Sequence, residues 1–222
     1  MHFSIESCII ILLALFQWKE PNKTPKGREE PHETDGRSYP QGRYRGGRRR
    51  TQGRYLLEPT ADTRFIRILG EEFYRLFKDE NVTKILTIEA SGIGLACLCA
   101  LPFDVPVVFA KKAKSNNMTG EVYASSVHSF THGTDHTAVI PKIMLSSEDR
   151  ILLIDDFLAR GQALHALIDL CEQAGATIVG AGVFVEKTYQ GGGAEIRGRG
   201  VRVESLARIK SMSVADGIEF CD

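Results

Sequence analysis

The residues of this chain best suited to chemistry are two adjacent carboxylates, Asp155 and Asp156. They directly follow a short apolar run, residues 151–154, of the kind that forms a buried strand in a parallel sheet. Ligands bind at the carboxyl ends of strands in open α/β sheets. Two acids at such a place can hold the hydroxyls of a ribose, or hydroxyls together with a magnesium ion. The pair therefore marks a candidate sugar site.

A loop of mostly small residues follows the acids at positions 159–163 and leads into a helix predicted over residues 164–174, before Gly175. The first N–H groups of a helix lack intrahelical partners and carry partial positive charge, so this loop favours a phosphate. Gly161 permits backbone angles that other residues resist. Phosphate donors one loop away from sugar-binding acids predict a site for a phosphorylated ribose.

A simpler interpretation is that Asp155 and Asp156 only cap the next helix and keep a strand end soluble. For an isolated Asp-Asp pair we would favour that interpretation. The complete order of apolar run, acid pair, small loop and helix start favours the binding site instead.

Two further strand ends carry groups that could bind anions. A strand predicted over residues 84–88 runs into a small loop, residues 89–94, and then into an apolar helix. Alone this signal is weak, because any strand-to-helix turn favours Gly and Ser. A third strand, predicted over residues 105–109, precedes Lys111, Lys112 and Lys114. These lysines could form a solvated turn, or they could neutralise a diphosphate beside two phosphate loops.

The stretch around the acid pair resembles the phosphoribosyl diphosphate (PRPP) motif of type I phosphoribosyltransferases. The resemblance runs from about Leu57 to the C-terminus. It implies an α/β fold, with a mainly parallel central sheet flanked by helices and a small hood that binds the base. Within this family the sequence is most similar to the bacterial members that act on xanthine.

The resemblance implies transfer of 5-phosphoribosyl from PRPP to N9 of xanthine, giving xanthosine 5′-monophosphate and diphosphate in purine salvage. It implies Mg²⁺ as cofactor, PRPP as co-substrate, a homodimer and a cytoplasmic location. The implied catalytic residues are Asp155 and Asp156, with Mg²⁺ held near them through PRPP and water. The implied PRPP-binding residues are Ala159, Arg160, Gly161, Gln162, Ala163, Ser91, Gly92 and Lys112, and the implied base-binding residue is Lys187.

Lys187 follows a strand predicted over residues 177–186. A lysine after a buried strand usually lies at the surface. An ammonium group only donates hydrogen bonds, however, so in this place it can select a 6-oxopurine over adenine. Three other segments have structural roles in our interpretation: an amphipathic helix over residues 63–77, a loose turn at residues 191–193, and an outer strand with a dimer contact over residues 201–209.

Two other functions stay open. The chain could be a transcription regulator whose phosphoribosyltransferase domain senses PRPP without catalysis, although residues 1–55 show no helical periodicity typical of a winged-helix domain. It could also transfer phosphoribosyl to guanine, hypoxanthine or adenine. That alternative changes the substrate and leaves the reaction the same.

Residues 122–140 are polar and resemble the flexible loop that closes over the reacting centre in the family. His128, His132 and His136 have the spacing of a helical metal site. Their surroundings are typical of loop and strand, so this spacing does not put ligands on one face. We predict that they bind no metal.

The first quarter of the chain is unlike the rest. Residues 8–16 are apolar but too short to span a membrane, and the acid that precedes them and the lack of a clear cleavage site argue against a signal peptide. Residues 43–50 place arginines around a tyrosine, a pattern of RNA-binding arms. We predict that residues 1–55 are disordered or read from a wrong frame, and that residues 56–222 form the phosphoribosyltransferase domain.

Composition sets few further limits. The 222 residues suffice for one α/β domain, and the net charge of +0 excludes an overall attraction to nucleic acid. The 5 cysteines show no zinc spacing, and their odd number argues against a disulfide framework. A reducing cytoplasm and the absence of a membrane segment are therefore expected.

Overall fold

A single mixed sheet organises the computed structural model of this chain, which describes residues 63–113, 121–129, 134–213 and 217–221. The strands are β1 (Lys84–Ile88), β2 (Val107–Ala113), β3 (Val122–Ser129), β4 (Thr134–Pro141), β5 (Arg150–Leu158), β6 (Thr177–Lys187), β7 (Val203–Ser213) and β8 (Gly217–Phe220). Within the described residues their order in the sheet is β3-β4-β2-β1-β5-β6-β7-β8. The helices are α1 (Thr63–Phe77), α2 (Ser91–Ala100), α3 (Gln162–Ala174) and α4 (Gly192–Gly198).

The five central strands, β2-β1-β5-β6-β7, are parallel. The chain passes from β1 through α2 to β2 on one side of the sheet, whereas β5 pairs with β1 on the other side. The order therefore reverses between β1 and β5. Such a reversal leaves a crevice outside the carboxyl ends of the two strands, which is where open α/β sheets bind their ligands.

Helices cover both faces of the sheet, because successive side chains of a strand point to opposite sides. On β5, Leu152 and Ile154 pack in the core formed with α1 and α2, whereas Ile151 and Leu153 pack in the core formed with α3 and α4. All four side chains are fully buried. This double burial explains why the strand reads as a continuous apolar run.

Antiparallel strands extend the sheet at both edges. The β3–β4 pair adds to β2, and β8 adds to β7. Ser125 of β3 donates to Asp169 of α3 at 2.9 Å, and the Gln173 side chain bonds both the N–H and the C=O of Ala124, at 3.2 and 2.9 Å. The polar stretch predicted as a flexible loop is therefore mostly a strand pair docked on α3. Its closure over a reacting centre stays a prediction.

The predicted fold class is confirmed, and two elements have the predicted bounds, the helix at residues 63–77 and the strand at residues 84–88. Other bounds were wrong. β5 continues through both acids to Leu158, and β2 begins at Val107 and includes Lys111 and Lys112. Parallel strands can continue into polar residues at their carboxyl ends, since the neighbouring strands still supply hydrogen bonds there.

One prediction near the C-terminus needs correction. Residues 191–193 were expected to form a loose turn, but Gly192 and Gly193 begin helix α4. The segment predicted as an outer strand forms the first part of β7, which pairs with β6 and ends the parallel part of the sheet. The short strand β8 pairs with β7 only from Ile209 onward. The dimer contact predicted for this segment stays a prediction.

Some predictions lie outside the described residues: those for residues 1–55, and therefore the N-terminal part of the hood, and those for Lys114 and His132. His128 lies on β3 and His136 on β4. No helix in the described part of the chain is long and apolar enough to cross a membrane.

Candidate active site

The predicted site residues lie at the carboxyl ends of four neighbouring parallel strands, β2, β1, β5 and β6. Parallel strands end at the same edge of a sheet, so the topology assembles groups that are far apart in sequence. By element, the structure places Ser91 and Gly92 at the start of α2 after β1, Lys112 on β2, Asp155 and Asp156 on β5, Ala159, Arg160 and Gly161 between β5 and α3, Gln162 and Ala163 in the first turn of α3, and Lys187 at the end of β6.

Asp155 is the buried member of the acid pair, with 4% of its surface exposed, whereas Asp156 is half-buried. Burial and then the charge of Asp156 raise the pKa of Asp155 well above its ordinary value, while the Lys112 ammonium acts in the opposite direction. The structure thus brings Lys112 of β2 into the field of Asp155 on β5. Hydroxyl donors or a cation placed here would relieve the cost of the buried charge.

Local hydrogen bonds orient both carboxylates. The Asp156 N–H donates to Asp155 Oδ1 at 3.0 Å, and the Phe157 N–H donates to Asp156 Oδ1 at 2.8 Å. The carboxyl oxygens are hard ligands of the kind that Mg²⁺ accepts, usually together with substrate phosphates and water. The described residues contain no group of three or more His, Cys, Asp or Glu side chains that could hold a metal ion. The acid pair alone thus offers hard oxygen ligands at the carboxyl end of β5.

The loop after β5 keeps the N-terminus of α3 open to an anion. Gly161 caps the helix with φ +76°, and no side chain bonds the helix start. The α4 residue Gly192 packs against this loop: its N–H donates to the Ala159 carbonyl at 3.1 Å. A Cβ on Gly192 would lie 2.5 Å from the Gly161 nitrogen. Only glycine at position 192 permits this close approach, and no local pattern in the sequence indicates it.

The loop after β1 is tied to β2 by Glu89. Its carboxylate accepts the Lys112 N–H at 2.5 Å, and its own N–H donates to the Ala110 carbonyl at 3.0 Å. The Glu89–Ala90 peptide is cis. Helix α2 then starts without a side-chain cap. A second uncapped helix start therefore lies at the same edge of the sheet as the first, beside Lys112.

Thr87, on β1 beneath this second loop, is fully buried. Its Oγ1 has no hydrogen-bond partner within the described part of the chain. A Cβ on Gly92 would lie 2.1 Å from that oxygen. Gly92 is thus required by its contact with Thr87, independently of any ligand.

Lys187 is half-buried, and its Nζ lies 5.5 Å from the centre of the Phe157 ring. Such a contact between an ammonium group and an aromatic face is attractive and restricts the side chain. Lys187 is a predicted site residue, whereas Phe157 is not, although it directly follows the acid pair. An apolar ring beside a donor-only cation can receive a flat ligand that presents a carbonyl oxygen.

Comparisons with known proteins agree with this geometry. Residues 60–196 match the phosphoribosyl transferase domain family. A xanthine phosphoribosyltransferase of Lachnoclostridium phytofermentans is 53% identical over 162 residues, which are 73% of this chain and 84% of the relative. One of Pseudomonas entomophila is 51% identical over 157 residues, covering 71% of this chain and 83% of the relative.

Solved structures share the fold at lower identity. APRTase from Giardia lamblia, complexed with 9-deazaadenine, has a TM-score of 0.60 and 27% identity, and the match covers 66% of this chain and 81% of that chain. Adenine phosphoribosyltransferase from Rhodothermus marinus has a TM-score of 0.56 and 26% identity, with coverage of 65% and 79%. The sequence relatives are therefore nearer to this chain than these structural neighbours.

Asp155→Asn is expected to stabilise the protein near neutral pH by about 1–3 kcal/mol, because it removes a buried charge and keeps the shape. The folded-state pKa of Asp155 is raised, so the wild type loses stability as pH rises through that value. The advantage of the variant should thus shrink as pH falls towards about 4. Urea unfolding of both proteins between neutral pH and about pH 4 measures the difference in their free energies of unfolding. Asp104→Asn, at an exposed position, is the control, and an equal gain there would contradict the prediction.

Thr87→Val should raise the free energy of unfolding by about 1 kcal/mol, because a buried hydroxyl without a partner is replaced by a methyl group of similar size. Thr83→Val is the matched control, since the Thr83 hydroxyl accepts the Arg150 N–H at 2.8 Å. That variant should lose stability. A loss at position 87 in urea unfolding would show that the hydroxyl has a partner in solution.

Gly192→Ala should weaken binding of ribose 5-phosphate about 10-fold or more, because the added methyl group must displace the loop at residues 159–161. Calorimetric titration measures this affinity. Gly198→Ala, at the end of the same helix with nothing within 4 Å of the added Cβ, should leave it unchanged. Equal affinities in both variants would show that Gly192 does not shape a phosphate site.

Proposed function

This chain belongs to the phosphoribosyl transferase domain family, and from that premise we propose that it transfers 5-phosphoribosyl from PRPP to xanthine. The observation that carries the proposal is the meeting of two uncapped helix starts, a lysine and an acid pair with one buried member at one switch point. The names of relatives at 51–53% identity support xanthine as the base. The products are xanthosine 5′-monophosphate and diphosphate.

In this proposal the 5′-phosphate of PRPP binds at residues 159–163, where the N–H groups at the start of α3 donate to its oxygens. Gly161 and the support from Gly192 bring the backbone close to the phosphate. Asp155 and Asp156 accept hydrogen bonds from the two ribose hydroxyls. Holding the sugar at both ends orients its anomeric carbon towards the base.

The diphosphate binds at the second loop, to N–H groups around Ser91 and Gly92, with Lys112 supplying positive charge. Negative charge grows on this group as it leaves, so donors fixed before the reaction stabilise the transition state more than the ground state. Asp155 and Asp156 would hold Mg²⁺ near the diphosphate through PRPP and water, and the ion would supply further neutralisation of that charge. The pKa of Asp155 is raised in the protein, and a cation bound nearby would shift this carboxyl towards its ionised form.

The base binds next to Lys187, whose ammonium donates to the 6-oxygen of the purine. Adenine carries an amino group at that position, and two donors facing each other are repulsive, so the site discriminates against adenine. The ring of Phe157, which contacts the Lys187 ammonium, provides an apolar wall beside it.

We extend the proposal to the organisation of the protein. Residues 56–222 form the phosphoribosyltransferase domain, the protein is a homodimer, and it acts in the cytoplasm on small-molecule substrates. Residues 122–140 close over the reacting centre and exclude water. An assay on the full chain includes residues 1–55 and therefore tests whether the activity tolerates them.

With the full chain, PRPP and Mg²⁺, nucleotide should form fastest from xanthine, more slowly from guanine and hypoxanthine, and at least about 100-fold more slowly from adenine. Chromatography of the nucleotide product measures each rate. Lys187→Met should reduce turnover of xanthine about 100-fold while PRPP affinity stays unchanged. Lys142→Met is the control, because Lys142 also lies over a ring, that of Tyr123, at 5.9 Å.

Two results would contradict this proposal in different ways. PRPP binding without turnover of any base would identify a PRPP-sensing protein. Fastest turnover of another purine would retain the reaction and overturn the choice of base.

A further inference from the structure

An ion pair between the buried Glu186 and the partly exposed Arg197 lies behind the candidate site. Glu186 precedes Lys187 on β6 and is 1% exposed. Arg197 of α4 donates to it from both terminal nitrogens, at 2.7 Å to Oε1 and 2.9 Å to Oε2. Ser205 Oγ donates to Oε2 at 2.7 Å, and Arg208 Nε lies 3.5 Å from the same oxygen. This one carboxylate thus joins β6, α4 and β7.

Burial raises the pKa of Glu186, but the hydrogen bonds from Arg197 and Ser205 and the two guanidinium charges outweigh it, so the pKa lies below its ordinary value. Glu186 is therefore ionised at neutral pH. A buried ion pair is seldom more stabilising than a pair of apolar side chains of similar volume. What the Glu186–Arg197 pair provides is a fixed orientation, because the planar fork of an arginine holds a carboxylate in one position.

That fixed geometry extends to the phosphate loop through two glycines. A Cβ on Gly193 would lie 1.9 Å from Glu186 Oε1 and 2.7 Å from Arg197 Nη1, so the first turn of α4 lies directly against the ion pair. The preceding residue, Gly192, bonds the Ala159 carbonyl and packs on Gly161. The contacts run without a gap from the ion pair to the loop.

We propose that Glu186 and Arg197 are positioning residues that hold α4 against residues 159–161 and so set the shape of the 5′-phosphate site. The pair touches neither substrate in this picture and acts through Gly193 and Gly192. The inference rests on the proposed function, since the loop binds phosphate only if the chain uses a phosphoribosyl substrate.

Glu186→Gln is expected to weaken binding of ribose 5-phosphate and of PRPP about 10-fold or more, measured by calorimetry on the full chain. Glu219→Gln is the matched control. Like Glu186, Glu219 accepts hydrogen bonds from a cationic side chain, Lys210 at 2.7 Å, and from a serine, Ser211 at 3.0 Å. Glu219 lies on β8, however, and not on a strand next to α4. The Glu219→Gln variant should leave the affinities for ribose 5-phosphate and PRPP unchanged.

The double variant Glu186→Leu/Arg197→Met separates positioning from stability. Apolar replacement should preserve the thermal midpoint to within a few degrees, and ribose 5-phosphate binding should stay weak. Wild-type affinity in a folded Glu186→Gln or double variant would overturn the positioning role and leave the proposed function intact. A wild-type chain that binds neither ribose 5-phosphate nor PRPP would overturn both.

Discussion

A buried carboxylate at the point where the strand order reverses is the constraint on which this site depends. Asp155 lies at 4% exposure in the middle strand of a parallel sheet, with a second acid beside it. Such an arrangement costs free energy in the free protein, as the raised pKa of Asp155 indicates. Lys112 offsets part of that cost, and a substrate with hydroxyls and a cation would offset more. Binding of such a substrate would therefore be favoured at this position.

Close backbone contacts are the second requirement of the site. Gly92 lies against Thr87, Gly192 against the loop at residues 159–161, and Gly193 against Glu186. At each of these places a Cβ would come within 2.6 Å of another atom. These contacts are between protein atoms, so packing alone requires a residue without a Cβ at each of the three positions. Glycines in this chain therefore fill two tasks, shaping the loops and bringing the supporting helix near.

Much of the fold could be predicted, together with the strand ends that carry the candidate site residues, and the errors have a common cause. Apolar periodicity located the helix at residues 63–77 and the strand at residues 84–88 to the residue. It placed the ends of β5 and β2 too early, at the first charged residue. Hydropathy reports burial, whereas a strand continues as long as its neighbours supply hydrogen bonds. For the same reason, residues 122–140 read as a polar loop although most of them form two paired strands.

The order of strand, acid pair, small loop and helix follows from residue type and spacing, which are local properties of the sequence. That order indicated a phosphorylated ribose, and the resemblance to a family indicated the reaction. Which groups meet depends on the tertiary structure. The field of Lys112 at Asp155, the contact of Lys187 with Phe157, and the support of the loop at residues 159–161 by Gly192 all join residues from different elements. Such pairings follow from strand order and register, and a single sequence does not encode them in any local pattern.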